Sequence, residues 1–219
     1  MQQLLNLCKK ARSLRGYKLS QLANLHQVGR PVGNNTSKGW SGQLIEQVLG
    51  VKNNSLALPD FPDLGVELKT IPVSLDYKPY ETTYVTTVPL LPQYMTSFED
   101  SVLWLKLRCV LWVPLIAKTK SISVQERIIG EPFIWQPSNQ EKEIIKQDFD
   151  EIMEFIVTGR IDNLSASVGQ YLHVRPKALD SYKKTYTVDY ESNKIITSPK
   201  GFYLRTVLTK QILKRSLEI

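Results

Sequence analysis

Two periodicities organise the hydrophobic and polar positions along this chain. Leu4, Leu5, Leu7, Leu22 and Leu25 supply apolar faces at helical spacing and predict helix over 2–26, broken near 13–17. A stretch rich in Gly, Pro and Asn over 29–37 predicts a loop. Trp40, Leu44, Val48 and Leu49 then share one helical arc, with Glu46 well away from its centre and Gly50 as the stop. Runs of β-branched and aromatic residues predict strands over 64–73, 84–88 and 110–116. Ser138-Asn-Gln-Glu141 after Pro137 has the form of a capping box, and Ile145, Phe149, Ile152, Met153 and Ile156 form the stripe of a helix closed by Gly159. The remainder predicts a strand over 171–174, a turn-rich segment, a strand over 202–207 and a short helix. The class is mixed α/β, without internal repeats.

Composition narrows the partners. Hydrophobic residues are 42% and charged residues 22% of the 219, so the expectation is a packed domain rather than a disordered chain. Net charge is +7, and its placement is uneven. Residues 171–219 hold ten Lys and Arg against four Asp and Glu, nearly the whole excess, whereas 125–156 hold eight acids against three bases. Localised positive charge suits a phosphate-binding face, with a solvated basic tail as the plain alternative. Cys8 and Cys109 suggest neither a disulfide framework nor a zinc cluster. No signal sequence is recognised, and no apolar stretch approaches the roughly 20 residues that span a bilayer. The expectation is a soluble cytoplasmic protein with no membrane partner.

The chemistry concentrates in Pro59-Asp60-Phe-Pro-Asp-Leu-Gly-Val-Glu67-Leu68-Lys69. Hydrolysing a phosphodiester takes a divalent cation to neutralise developing charge, an activated water and a stabilised leaving oxygen. Asp60 and Glu67 are candidate carboxylate ligands for Mg²⁺, a hard cation held by one or two carboxylates together with waters and phosphate oxygens. On a strand Glu67 and Lys69 project from the same face, about 6–7 Å apart along the backbone, and can flank one scissile phosphate. Leu68 faces the core with Val66, and its carbonyl is a further candidate metal ligand. Taken alone, Glu-x-Lys is also what an ordinary strand-edge ion pair looks like.

Pro-Asp followed by Glu-x-Lys resembles the PD-(D/E)XK nucleases, and the chain is similar more specifically to the MutH family of methylation-sensitive nicking endonucleases. The likeness is carried by Lys38-Gly-Trp-Ser-Gly-Gln-Leu-Ile-Glu46, Leu64-Gly-Val-Glu-Leu-Lys-Thr-Ile-Pro72, Glu81-Thr-Thr-Tyr84, Val110-Leu-Trp-Val-Pro114, Arg175-Pro-Lys177 and Lys200-Gly-Phe-Tyr-Leu204. It implies a restriction-endonuclease-like fold: a central mixed sheet flanked by helices and opened into two lobes around a DNA-binding cleft. One endonuclease domain, 1–219, would comprise a catalytic lobe over roughly 1–120 and a DNA-reading lobe over roughly 121–219.

The resemblance also implies roles. Asp60, Glu67 and Lys69 form the catalytic core, with Glu46 near the metal and Lys106 near the scissile phosphate. Asp60, Glu67 and the carbonyl of Leu68 hold Mg²⁺. Lys38, Tyr84, Arg175, Pro176, Lys177 and Tyr203 contact DNA, the 175–177 segment reading GATC bases and Tyr203 associated with adenine methylation. Arg is the preferred bidentate reader of guanine, and an aromatic can wedge at a base step. On their own, Tyr84 and Tyr203 read as strand packing, and Lys106 as a solvated strand-edge residue. The implied activity is nicking of the unmethylated strand at hemimethylated GATC by a monomer stimulated by MutL. Two alternatives stay open: a restriction enzyme of the same fold cutting both strands, and a DNA-binding protein without catalysis. The 180–199 segment departs from the family pattern and predicts a loop or hairpin near the reading face.

Overall fold

The computed structural model describes residues 2–31, 39–51, 57–177 and 183–219. The chain divides into two compact units: residues 1–81, 108–136 and 209–219 form the first, and 82–107 and 137–208 the second. The expected lobe boundary near residue 120 falls inside the first unit, because the strand at 110–116 is hydrogen-bonded to the strand at 67–73 and stays with it. The basic 171–219 stretch is divided likewise, with Lys210, Lys214 and Arg215 in the first unit and the rest in the second.

The first unit opens with α1 (Gln2–Arg12) and α2 (Leu19–Leu25), separated by the expected break, and α3 (Trp40–Leu49), which ends at Gly50 in the left-handed conformation. β1 (Glu67–Val73) runs parallel to β3 (Val110–Ile116), pairing Glu67 with Val110 through to Val73 with Ile116. β4 (Ile128–Ile129) and β5 (Phe133–Trp135) pair antiparallel with β3 and complete a mixed four-stranded sheet. Pro114, which cannot donate to a ladder, lies between the β3 residues paired with β5 (110–112) and those paired with β4 (115–116). Val66 and Leu68 sink into a core shared with Leu22, Leu44, Ile45, Leu111 and Val113. Each such burial is worth about 2 kcal/mol, and together they fix the register of β1 and the face on which Glu67 and Lys69 stand.

The second unit contains β2 (Thr83–Thr87), α4 (Val102–Leu107), α5 (Asn139–Val157), β6 (Leu172–Pro176), β7 (Thr185–Val188), β8 (Lys194–Thr197) and β9 (Lys200–Leu204). The α5 capping box forms as expected: Ser138 Oγ accepts from Glu141 N–H at 3.2 Å and Glu141 Oε2 accepts from Ser138 N–H at 2.8 Å. Its whole apolar stripe is buried. β2, β9 and β6 form an antiparallel three-stranded sheet in that order, and β7 and β8 form a separate hairpin. The sheet alternates: Leu172, Val174, Phe202 and Leu204 are buried on one face, where Phe202 meets Phe149 of α5 at 5.7 Å between ring centres. Finally α6 (Thr206–Leu217) starts where a strand was expected to continue to 207, and runs longer than the short helix predicted. No described helix is long and apolar enough to cross a membrane.

Candidate functional site

The residues between Asp60 and Glu67 form a fold-back. Phe61 and Val66 bridge through paired backbone bonds, Phe61 N–H to Val66 O at 2.9 Å and Val66 N–H to Phe61 O at 3.2 Å. Pro62–Leu64 make one 3-10 turn, and Gly65 closes it at φ +63°, in the left-handed region open to glycine; a Cβ there would also stand 3.1 Å from Arg108 Nη2. The strand expected from residue 64 therefore begins at Glu67, and Asp60 is returned alongside it. Asp60 Oδ2 accepts the backbone N–H of Leu68 at 2.8 Å. Glu67 donates its own N–H to Cys109 O at 3.0 Å, while its side chain, 2% exposed, pairs with Lys69: Nζ to Oε1 is 2.6 Å. Leu68 faces the core with Val66, as the strand alternation requires. Glu46 stands half-buried on α3, the helix that packs against β1.

The donor chemistry fits Mg²⁺. Asp60 and Glu67 are carboxylates held by one short fold-back, and every candidate ligand atom is oxygen. Among the described residues no group of three or more His, Cys, Asp or Glu gathers as a cation site, and Mg²⁺ requires only one or two carboxylates beside water and phosphate.

The second unit carries an aromatic and basic face. On the side of its sheet opposite the apolar layer, Tyr84, Tyr203 and His173 form one cross-strand rung, and Thr87, Gly201 and Arg175 another. The Tyr84 and Tyr203 rings meet edge-to-face at 5.4 Å and lean over Gly201, where a Cβ would stand 2.8 Å from Tyr84 Cε2 and 3.1 Å from Tyr203 Cε2. Cations cover both rings: Arg175 lies 5.8 Å from the Tyr203 centre and Lys177 5.3 Å from that of Tyr84. Two hydroxyls fix these cations, Thr82 accepting from Arg175 Nη1 and Thr87 from Lys177 Nζ, both at 3.2 Å. Burial and the neighbouring Tyr84 raise the Tyr203 phenol above its usual pKa, so it remains a proton donor at neutral pH. Behind it His173 is held neutral, its pKa lowered to about 4 by burial and by Arg205 and Arg175. Pro176 ends β6 opposite Lys200.

The entry to β6 is anchored from two sides. Asp148, buried on α5, accepts three backbone N–H groups, from Gln170, Tyr171 and Leu172, at 2.7, 2.6 and 2.8 Å. Arg205 donates to the carbonyls of Ala166 and Val168 at 2.5 and 2.8 Å.

One expectation changes and one stays untested. Lys106, read as a solvated strand-edge residue, lies on helix α4 and is 7% exposed, because α4 packs that side against β2. Lys38 lies outside the described residues. Sequence reasoning missed Thr82, Thr87, Gly201 and Asp148. A glycine inside a strand signals close approach and marks Gly201; the other contacts bridge 22–93 residues and carry no local signal.

Comparison with known proteins decides the family. The family model for the DNA mismatch repair enzyme MutH matches residues 49–148, a span containing the fold-back and β1. A DNA mismatch repair protein MutH from Shewanella woodyi is 43% identical over 97% of this chain and 92% of its own length. The chain belongs to the MutH family. MutH proteins of Shewanella amazonensis and Pectobacterium atrosepticum agree, at 42% and 40% identity over 99% and 95% of the chain. As a MutH-family protein the chain is a DNA repair enzyme, and its mixed α/β fold accords with that membership.

Proposed function

We propose that this MutH-family chain is a Mg²⁺-dependent endonuclease that nicks the unmethylated strand of double-stranded DNA at hemimethylated or unmethylated GATC sites. The observation that carries the reading is the fold-back that brings Asp60 to Leu68 N–H beside the buried Glu67–Lys69 pair. Asp60, Glu67 and the Leu68 carbonyl would hold Mg²⁺. When bound, the cation supplies neutralisation of charge on the phosphate and lowers the pKa of water.

The chain's own groups supply the rest. Lys69 presents its ammonium beside Glu67 Oε1, where it can orient the attacking water or bind a non-bridging phosphate oxygen as negative charge grows. Water attacks phosphorus, the new P–O bond forms, and the bond to the leaving deoxyribose oxygen breaks. Glu46 adds negative charge near the cation, and Lys106 contacts the phosphate. Arg175, Pro176 and Lys177 read GATC edges, with Tyr84 and Lys38 contacting DNA. Tyr203 senses adenine N6, whose methyl replaces a major-groove donor hydrogen. Asp60, Glu67, Lys69 and Glu46 belong to one unit, and Lys106 belongs with the reading residues Tyr84, Arg175, Pro176, Lys177 and Tyr203 to the other. The enzyme acts as a cytoplasmic monomer stimulated by MutL.

A supercoiled plasmid with one hemimethylated GATC tests this reading. Nicked circles formed only with Mg²⁺ support it. Rapid linearisation would assign a double-strand restriction activity instead, and binding without any cut would assign a non-catalytic role.

A further inference from the structure

The hairpin β7–β8 turns an apolar and basic face outward. Its register opposes Tyr186 to Ile196 and Val188 to Lys194, so these four share a face. Tyr186 is 47% and Ile196 63% exposed, while Thr187 on the inward face is fully buried. Lys194 Nζ sits 4.1 Å from the Tyr186 ring centre, and Lys183 and Lys184 are exposed at the hairpin's base. A directly opposed, exposed Tyr–Ile pair is costly to leave in water on a two-stranded ribbon, which marks such a face as a contact surface. The acids near the tip are tied into the turn: Asp189 Oδ1 accepts N–H from Glu191 and Asn193 at 3.0 and 2.8 Å.

Connectivity places this face. The hairpin is inserted between β6 and β9, whose last rung pairs Pro176 with Lys200, and Lys177 N–H continues that ladder to Pro199 O at 3.0 Å. The ribbon thus grows from the end of the sheet that carries Arg175 and Lys177. A two-stranded ribbon fits a DNA groove, and exposed lysines match phosphates.

We infer that the outward face of the β7–β8 hairpin, Tyr186, Lys194 and Ile196 with Lys184 at its base, is a second contact surface for duplex DNA flanking the bases that Arg175 and Lys177 read. This rests on the proposed DNA-cutting function. It also gives a segment that departs from the family pattern a role: tuning how strongly flanking sequence is held.

The test is equilibrium binding without Mg²⁺ to two duplexes sharing one GATC, one of about 10 base pairs, a single helical turn, and one of about 30. The full chain is compared with a variant carrying Lys184→Ala, Tyr186→Ser, Lys194→Ala and Ile196→Ser, with its folding checked by thermal melting. The wild type is expected to favour the long duplex. In the variant that preference should collapse, and the slope of log affinity against log salt on the long duplex should flatten by about 2, one for each lysine removed. A folded variant that keeps the wild-type preference and slope would overturn the inference while leaving the cutting function intact. A variant that instead loses self-association, with DNA binding unchanged, would overturn it in favour of a second copy of the chain. A wild type that binds neither duplex, and cuts neither once Mg²⁺ is supplied, would overturn both readings.

Discussion

Lys69 Nζ lies 2.6 Å from Glu67 Oε1, with the carboxylate side chain 2% exposed and the lysine 16%. The two stand on one face of β1, and the pair is more enclosed than a surface ion pair, so removing either partner leaves a charge poorly solvated. Lys69→Ala is expected to destabilise the fold by about 3 kcal/mol and to abolish nicking. Lys69→Arg restores the charge but not the compact ammonium, and should recover most of the stability without the cutting. Chemical denaturation beside a plasmid-nicking assay separates the two effects. Equal loss of stability and activity in both variants would reduce the pair to a structural role.

Asp60 makes a different prediction. Its Oδ2 accepts the Leu68 N–H, a bond that an amide oxygen can also accept. Asp60→Asn should therefore leave melting nearly unchanged while cutting about 10²-fold or more slower, as loss of a charged electrostatic group at a reacting centre does. Asp60→Ala should also lose about 1–3 kcal/mol, since the Leu68 N–H is then left without its acceptor.

Gly201 should govern discrimination rather than stability. A methyl at residue 201 would meet ring edges of Tyr84 and Tyr203, the outer ends of side chains that can swing aside. Gly201→Ala is expected to cost about 1 kcal/mol or less but to blur the difference in cutting rate between unmethylated and methylated GATC duplexes. Single-turnover cleavage of the matched duplexes measures it; unchanged discrimination would separate the tyrosine pair from methyl sensing.

Asp148 braces the entry to β6 from α5. Asp148→Ala removes the acceptor of three backbone N–H groups at once and should destabilise by about 3 kcal/mol or more, with weaker DNA binding by the surviving folded fraction. Gly169→Ala should act on the same joint, since its Cβ would fall 1.9 Å from Leu172 O at φ +82°.

His173 gives the acid dependence. Its pKa is lowered from 6.5 to about 4, so below 6.5 the unfolded chain takes up the proton first. The stability this group contributes is complete above pH 6.5 and is lost as pH falls toward about 4, by up to roughly 3 kcal/mol. Melting temperature followed over that window should fall less steeply in His173→Gln than in the wild type.

Much of this was legible in the amino-acid order. The α3 stop at Gly50, the α5 capping box and the β3 limits follow from local rules, and the structure keeps them. The alternation of Val66, Glu67, Leu68 and Lys69 is a local rule too, and it placed the acid and the lysine together. The fold-back that brings Asp60 to them was only a spacing in the sequence; Gly65 and the 3-10 turn explain it. Helix α4 was missed because six residues give too short a pattern to distinguish from strand, and Lys106 was misread with it. The hydroxyls of Thr82 and Thr87 under Arg175 and Lys177 depend on strand order β2-β9-β6, which no local window contains.

The central claim is most directly tested by cleavage of matched unmethylated, hemimethylated and fully methylated GATC duplexes, with and without Mg²⁺, by the wild type and Asp60→Asn. The predicted result is single-strand cutting by the wild type of the unmethylated and hemimethylated duplexes only, confined to the unmethylated strand in the latter, dependent on Mg²⁺ and absent or nearly so in the variant. Equal cutting by wild type and Asp60→Asn, or cutting that persists after Mg²⁺ is chelated, would contradict it.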